Sequence, residues 1–138
     1  MNEALVDTSG WASFFVRNEP FHTLAKRLVR RWQARGVRVV TTNYILVELV
    51  ALFTSPMRIP RLLQISHIDT IRSAPWAEVV HVDPALDADA WALLKTRQDK
   101  EWSLVDCVSF VVMQQRGVRE ALTTDHHFEQ AGFVRLLK

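Results

Sequence analysis

Apolar residues fall into two kinds of pattern along this chain. Short continuous runs mark buried strands, and runs spaced three and four apart mark amphipathic helices. Ala4-Leu-Val6 is the first short strand, and the turn-forming set Asp7-Thr-Ser-Gly10 ends it. Phe21, Leu24, Ala25, Leu28, Val29 and Trp32 recur at helical spacing, which predicts a helix over 21–35 with Gly36 as its C-cap. Val37 to Thr41 reads as a second strand, and Asn43 as the cap of a helix running through Phe53. Thr54 to Pro60 reads as a loop, and a helix follows from Pro60 to about Ser73. Glu78 to Val82 reads as a third strand, ended by Asp83-Pro84, with a helix from Leu86 to Arg97. Ser103 opens a helix to about Arg116. Ala121 to Thr123 is a fourth strand, His126 to Ala131 a short helix, and Phe133 to Leu137 a fifth strand.

Strands that alternate with helices and are themselves apolar on both faces predict a parallel sheet covered on both sides. Right-handed crossovers make it doubly wound. Ligands in such sheets sit beyond the carboxyl ends of the strands, so the residues just after each strand carry the most functional information.

Composition narrows the class. The chain has 138 residues, 49% hydrophobic and 23% charged, which is one globular domain's worth of sequence with material for a core. Its formal net charge is only +2, so overall basicity does not mark a nucleic-acid binder. Cys107 stands alone, which excludes an intrachain disulfide and a cysteine zinc cluster and suits a reducing cytoplasm. Glu3 and Asp7 interrupt any signal-like start. No apolar run is long enough to span a membrane, so a cytoplasmic protein without membrane partners is expected.

Four acids stand out by position. Asp7 follows the first strand and Asp125 the fourth, so both fall on one rim of the sheet. Glu48 is an acid among apolar helix residues, either on a narrow solvated stripe with Tyr44 or facing a site. Asp106 sits three residues after Ser103, which reads as a helix cap; the positive helix end would also keep it ionised for chemistry. Two carboxylates about 4 Å apart repel by roughly 4 kcal/mol at an effective dielectric near 20. A convergent cluster of this kind therefore calls for a hard divalent cation such as Mg²⁺. The hydroxyls of Thr8, Ser9 and Thr124 flank these acids, to orient them or to complete strand-end turns.

These residues resemble the PIN-domain ribonucleases, and among them the VapC-like toxins of toxin–antitoxin pairs. Four blocks carry the likeness: Leu5-Val-Asp-Thr-Ser-Gly-Trp11, Thr41-Thr-Asn-Tyr-Ile-Leu-Val-Glu-Leu49, Asp99 to Phe110, and Leu122-Thr-Thr-Asp-His-His-Phe128 followed by Ala131-Gly-Phe133. The resemblance implies a single PIN-like domain over residues 1–138, a three-layer α/β sandwich with a five-stranded parallel sheet of order 3-2-1-4-5. It implies a metal-dependent endoribonuclease using Mg²⁺ or Mn²⁺ on Asp7, Glu48, Asp106 and Asp125, with Asp99 as a further acid. Cleavage by in-line attack of water would leave a 5′-phosphate and a 3′-hydroxyl. It further implies an RNA substrate, a cognate antitoxin and a homodimer. Leu46, Leu49, Val50, Phe53 and the 56–60 loop read as apolar surface, and in that family the corresponding region helps hold an antitoxin segment and a homodimer. A non-toxin PIN nuclease of RNA processing, and a non-catalytic PIN scaffold that binds RNA or protein, are the alternatives.

Two unrelated α/β classes fail on residues. A phosphoacceptor receiver needs paired acids after strand one, and a haloacid-dehalogenase-type phosphatase needs an aspartate at position 9, where Ser9 stands. Away from the acids, charge is uneven. No acid occurs between Glu19 and Glu48, while Lys26, Arg27, Arg30, Arg31, Arg35 and Arg38 do, either as a solvated helix face or as a phosphate-contact surface. Trp11, Phe14 and Phe15 read as core or interface before they read as base-stacking groups. His22, His67 and His81 read as structural or exposed, His126 and His127 as exposed loop residues beside Asp125 or as groups that touch substrate, and Cys107 as core.

Overall fold

A computed structural model describes all 138 residues. Each strand is an apolar run that finds parallel partners on both sides or at one edge. β1 (Glu3–Val6) lies between β2 (Arg38–Thr42) and β4 (Glu120–Leu122). β3 (Ala77–Val80) pairs with β2, and β5 (Val134–Arg135) with β4. The order is β3-β2-β1-β4-β5, all parallel, as expected. Leu5, Val6, Val39, Val40, Ala121 and Leu122 are buried, because helices cover the sheet on both faces.

The helices are α1 (Thr8–Phe15), α2 (His22–Arg35), α3 (Asn43–Thr54), α4 (Arg61–Ser73), α5 (Pro84–Thr96), α6 (Leu104–Arg116) and α7 (His127–Gln130). Right-handed crossovers put α1 to α4 on one face and α5 to α7 on the other. The packing agrees: α1 lies against α2 and α3, α3 against α4, and α5 against α6. No helix is long and apolar enough to cross a membrane.

The main departure from the sequence reading is α1. Asp7-Thr-Ser-Gly10 is not a turn but the start of a helix, with Asp7 as N-cap accepting from the Gly10 N–H at 2.9 Å. An Asp cap competes well with an Asp turn when apolar residues follow at helical spacing. Here Trp11, Phe14 and Phe15 do so. Trp11 is fully buried and donates its indole N–H to Thr41 Oγ1 at 3.1 Å. Gly10 is required by closeness to β4: a Cβ there would lie 2.0 Å from the Leu122 carbonyl oxygen.

Smaller differences follow from the same local competition. Thr42, not Asn43, caps α3, accepting from the Ile45 N–H; Asn43 instead accepts from the Val82 N–H. β3 starts and ends earlier than its apolar run suggested, because its register follows β2. Asp83 caps α5, with Pro84 in its first turn. Leu46, Leu49 and Phe53 are core residues, not the exposed surface expected of them. The exposed apolar positions of this region are Val47 on α3 and Leu62, Leu63 and Ile65 on α4.

Candidate metal centre

The site grows out of the central strand pair. Val6 stands opposite Leu122, so the next residues, Asp7 and Thr123, leave the sheet side by side. Thr123 is fully buried and donates its hydroxyl to Asp7 Oδ2 at 2.6 Å. Asp7 Oδ1 takes the Ser9 hydroxyl at 2.8 Å as well as the Gly10 N–H. Ser9 Oγ in turn accepts from the Thr124 N–H at 3.0 Å, and Thr123 Oγ1 from the Asp125 N–H at 2.9 Å. The two strand ends are thereby laced together by hydroxyls, with Asp7 in the middle.

The other acids arrive from helices and one turn. Glu48 is half-buried on α3 and accepts a short hydrogen bond from the Thr8 hydroxyl at the start of α1, so it does not lie on a solvated stripe. Tyr44 turns elsewhere and donates to Asp87. Asp106 completes the capping box of α6. Its N–H donates to Ser103 Oγ at 3.0 Å, and its Oδ2 accepts from the Ser103 N–H at 3.1 Å. Asp125 Oδ1 accepts from the His127 N–H at 2.9 Å. Asp106 both caps a helix and faces the cleft, but the helix end does not keep it readily ionised as expected, because burial outweighs it and raises the carboxyl.

All four acids line one open cleft of about 590 Å³, with Thr8, Ser9 and Thr124. No lysine or arginine lines it. A larger cavity of about 920 Å³ lies around Arg116 and Arg119 at the opposite ends of the strands and contains none of these acids. Burial pushes the Asp7 carboxyl up to about 7, against the three donors that hold it down, and Asp125 adds to the rise. Burial also raises Glu48, opposed by the Thr8 hydroxyl and reinforced by Asp106 and Asp125. Asp106 is raised by burial and by Asp125, while the Ser103 N–H and His127 pull it down.

Three carboxyls pushed toward their neutral form beside one another need positive charge, and the lining supplies no fixed cation. No three of the four acids converge within 4.8 Å of one another; the set that does is Asp125, His126 and His127. A cation between the acids would keep several waters, which is how Mg²⁺ binds. Each helix- or turn-borne acid has one oxygen held by the protein and a second left for such an ion. The donor set thus fits a hard divalent cation.

Asp99 does not reach the cleft. It is exposed, and a two-point bond to Arg97, at 3.0 and 3.1 Å, holds its carboxyl below the usual range. Glu101 lines the cleft in its place. His127 also departs from the reading as an exposed loop residue: its side chain is 20% exposed and faces Asp106 and Asp125. No local signal pointed to Thr123, whose partner Asp7 is distant in sequence; for His127 the signal was its place beside Asp125, and the partner that turns it inward, Asp106, lies 21 residues away.

The PIN-domain family model matches residues 4–134. The chain belongs to the PIN-domain family. Two proteins named 23S rRNA-specific endonuclease VapC20, from two strains of Mycobacterium tuberculosis, are 34% identical to this PIN domain over 131 residues, 95% of this chain and 95% of theirs. A crystal structure of Mycobacterium tuberculosis VapC20, described as a Sarcin-Ricin loop cleaving toxin, matches with a TM-score of 0.84 at 32% identity and covers 98% of this chain and 99% of that one. PAE2754 from Pyrobaculum aerophilum matches this PIN domain with a TM-score of 0.64 at 18% identity, covering 97% and 89%, and supports the fold alone.

Proposed function

We propose that this PIN domain, acting as one unit over residues 1–138, is a Mg²⁺- or Mn²⁺-dependent endoribonuclease that cuts 23S rRNA. It is the cytoplasmic toxin of a toxin–antitoxin pair. The observation that carries this reading is the cleft of four acids, on a PIN fold, with no cationic side chain in its wall. The name and described activity of the similar VapC20 proteins supply the substrate.

Asp7, Glu48, Asp106 and Asp125 would hold the cation. When bound, a divalent ion stabilises charge on the phosphoryl oxygens and lowers the pKa of water. The protein's own contribution is to fix the carboxylates. Ser9, Gly10 and Thr123 hold Asp7, Thr8 holds Glu48, and the α6 cap holds Asp106. Because burial raises the Asp7 carboxyl to about 7, a metal-free site retains a proton there near neutrality, and cation binding releases it. The exposed arginines Arg27, Arg30, Arg31 and Arg35 on α2 make no ion pair and offer a surface for RNA phosphates.

A homodimer fits the exposed apolar positions on neighbouring helices α3 and α4, where Val47 is 71% and Leu62 82% exposed. Sedimentation of the wild type and of a Val47→Glu/Leu62→Glu variant tests it: the variant sediments as a monomer. The functional test is cleavage of purified ribosomes by wild type with Mg²⁺, by wild type with EDTA, and by Asp7→Asn with Mg²⁺. Only the first cuts. Cleavage that persists in EDTA rejects the metal mechanism, and cleavage of other RNAs with 23S rRNA intact rejects the substrate.

A further inference from the structure

Asp106 and Asp125 come from different elements, α6 and the β4–α7 turn, and repel each other. One residue bridges them. His127 Nδ1 lies 3.2 Å from Asp106 Oδ2 and 3.3 Å from Asp125 Oδ1. The backbone N–H of the same residue donates to that Asp125 oxygen. His126 differs: its side chain is 63% exposed, stands 3.8 Å from Asp125, and makes no ion pair or hydrogen bond with Asp106.

The oxygens that His127 meets are the ones already in use. Asp106 Oδ2 accepts from the Ser103 N–H, and Asp125 Oδ1 from the His127 N–H. His127 therefore gathers the held oxygens, Asp106 Oδ2 by its ring and Asp125 Oδ1 by its backbone, and leaves Asp106 Oδ1 and Asp125 Oδ2 for a cation. Carboxylate oxygens only accept, so Nδ1 must carry a proton here, as it does in the Nδ1–H neutral tautomer and in the charged ring but not in the Nε2–H tautomer.

We propose that His127 is a positioning residue of the cation site, its Nδ1–H holding Asp106 and its backbone N–H holding Asp125 so that their outer oxygens share one ion. It is not itself a metal ligand. Groups that orient metal ligands in this way are commonly worth about 10- to 100-fold in metal affinity. The inference rests on the cation reading above.

The test titrates Mn²⁺ into wild type, His127→Ala and His127→Asn, following the loss of the free-ion electron paramagnetic resonance signal. Circular dichroism melts check that each variant is folded. His127→Ala binds about 10- to 100-fold more weakly. His127→Asn recovers to within about threefold of wild type, because the Asn amide places an N–H donor close to where Nδ1 stands. Electron spin echo modulation of bound Mn²⁺ shows no directly coordinated nitrogen in wild type. Equal affinity in His127→Ala overturns the inference, as does an Asn variant no better than Ala or a coordinated nitrogen in wild type. A wild type that binds no Mn²⁺ sinks the cation reading too, whereas a wild type that binds and a His127→Ala that binds equally sink only the bridge.

Discussion

Replacing Asp7 with asparagine should stabilise the metal-free protein, and only above a certain pH. In the folded chain the Asp7 carboxyl titrates at about 7, whereas its ordinary value is 3.8. Folding therefore takes up a proton between those values, so stability is full below about pH 4 and declines as pH rises through 7. Charging this group in place costs about 4 kcal/mol. Asparagine carries no charge, remains a good helix cap, and keeps an oxygen for Ser9 and Gly10. Its amide meets the Thr123 hydroxyl where a carboxylate oxygen stood, a mismatch of about 1–2 kcal/mol. A net gain of about 2–3 kcal/mol at pH 8 raises the melting temperature by about 8 °C for a chain of this length. Calorimetry of both proteins in EDTA at pH 5 and pH 8 measures it. Excess Mn²⁺ at pH 8 then narrows the gap, by stabilising the wild type more than the variant. An Asp7→Asn variant no more stable than wild type at pH 8, or equally ahead at pH 5, refutes the reasoning.

Thr123→Val removes a 2.6 Å bond to Asp7 and the acceptor of the Asp125 N–H. Mn²⁺ affinity falls about 10- to 100-fold, by the same titration. Gly10→Ala drives a methyl into the Leu122 carbonyl and lowers stability by about 3 kcal/mol or more, read from urea unfolding. Changing Arg27, Arg31 and Arg35 together to Gln raises KM for RNA and flattens its dependence on salt by about two to three charges, while kcat and the melting temperature stay put. Unchanged salt dependence removes α2 from the RNA surface.

Much of this architecture was readable because burial writes itself into composition. The strands sealed on both faces, β1 and most of β2 and β4, announce themselves as apolar runs, the less buried edge strands β3 and β5 show by their apolar neighbourhoods, and the order follows once the PIN likeness is noticed. The acids were visible because a carboxylate just past a buried strand, or inside an apolar helix, needs a reason to be there. What stayed hidden were preferences settled by neighbours. Asp7-Thr-Ser-Gly10 satisfies turn and helix-cap rules alike, and only the packing of Trp11 under β2 decides between them. Thr123 looks like any strand-end hydroxyl until Asp7 is set beside it by the β1–β4 register. Asp99 and Glu101 are equally acidic in sequence, and the bond from Arg97 turns one of them aside.

The double duty of Asp106 bears on how this gene would decay. An acid that both begins α6 and faces the cleft gives chance mutation two ways to disarm the protein at one codon, by silencing the chemistry or by fraying a helix packed into the core. Glu48, whose single bond is to Thr8, offers mainly the first. Among cells that survive forced expression, lesions at position 106 should include insoluble protein, and those at position 48 should be soluble and inert.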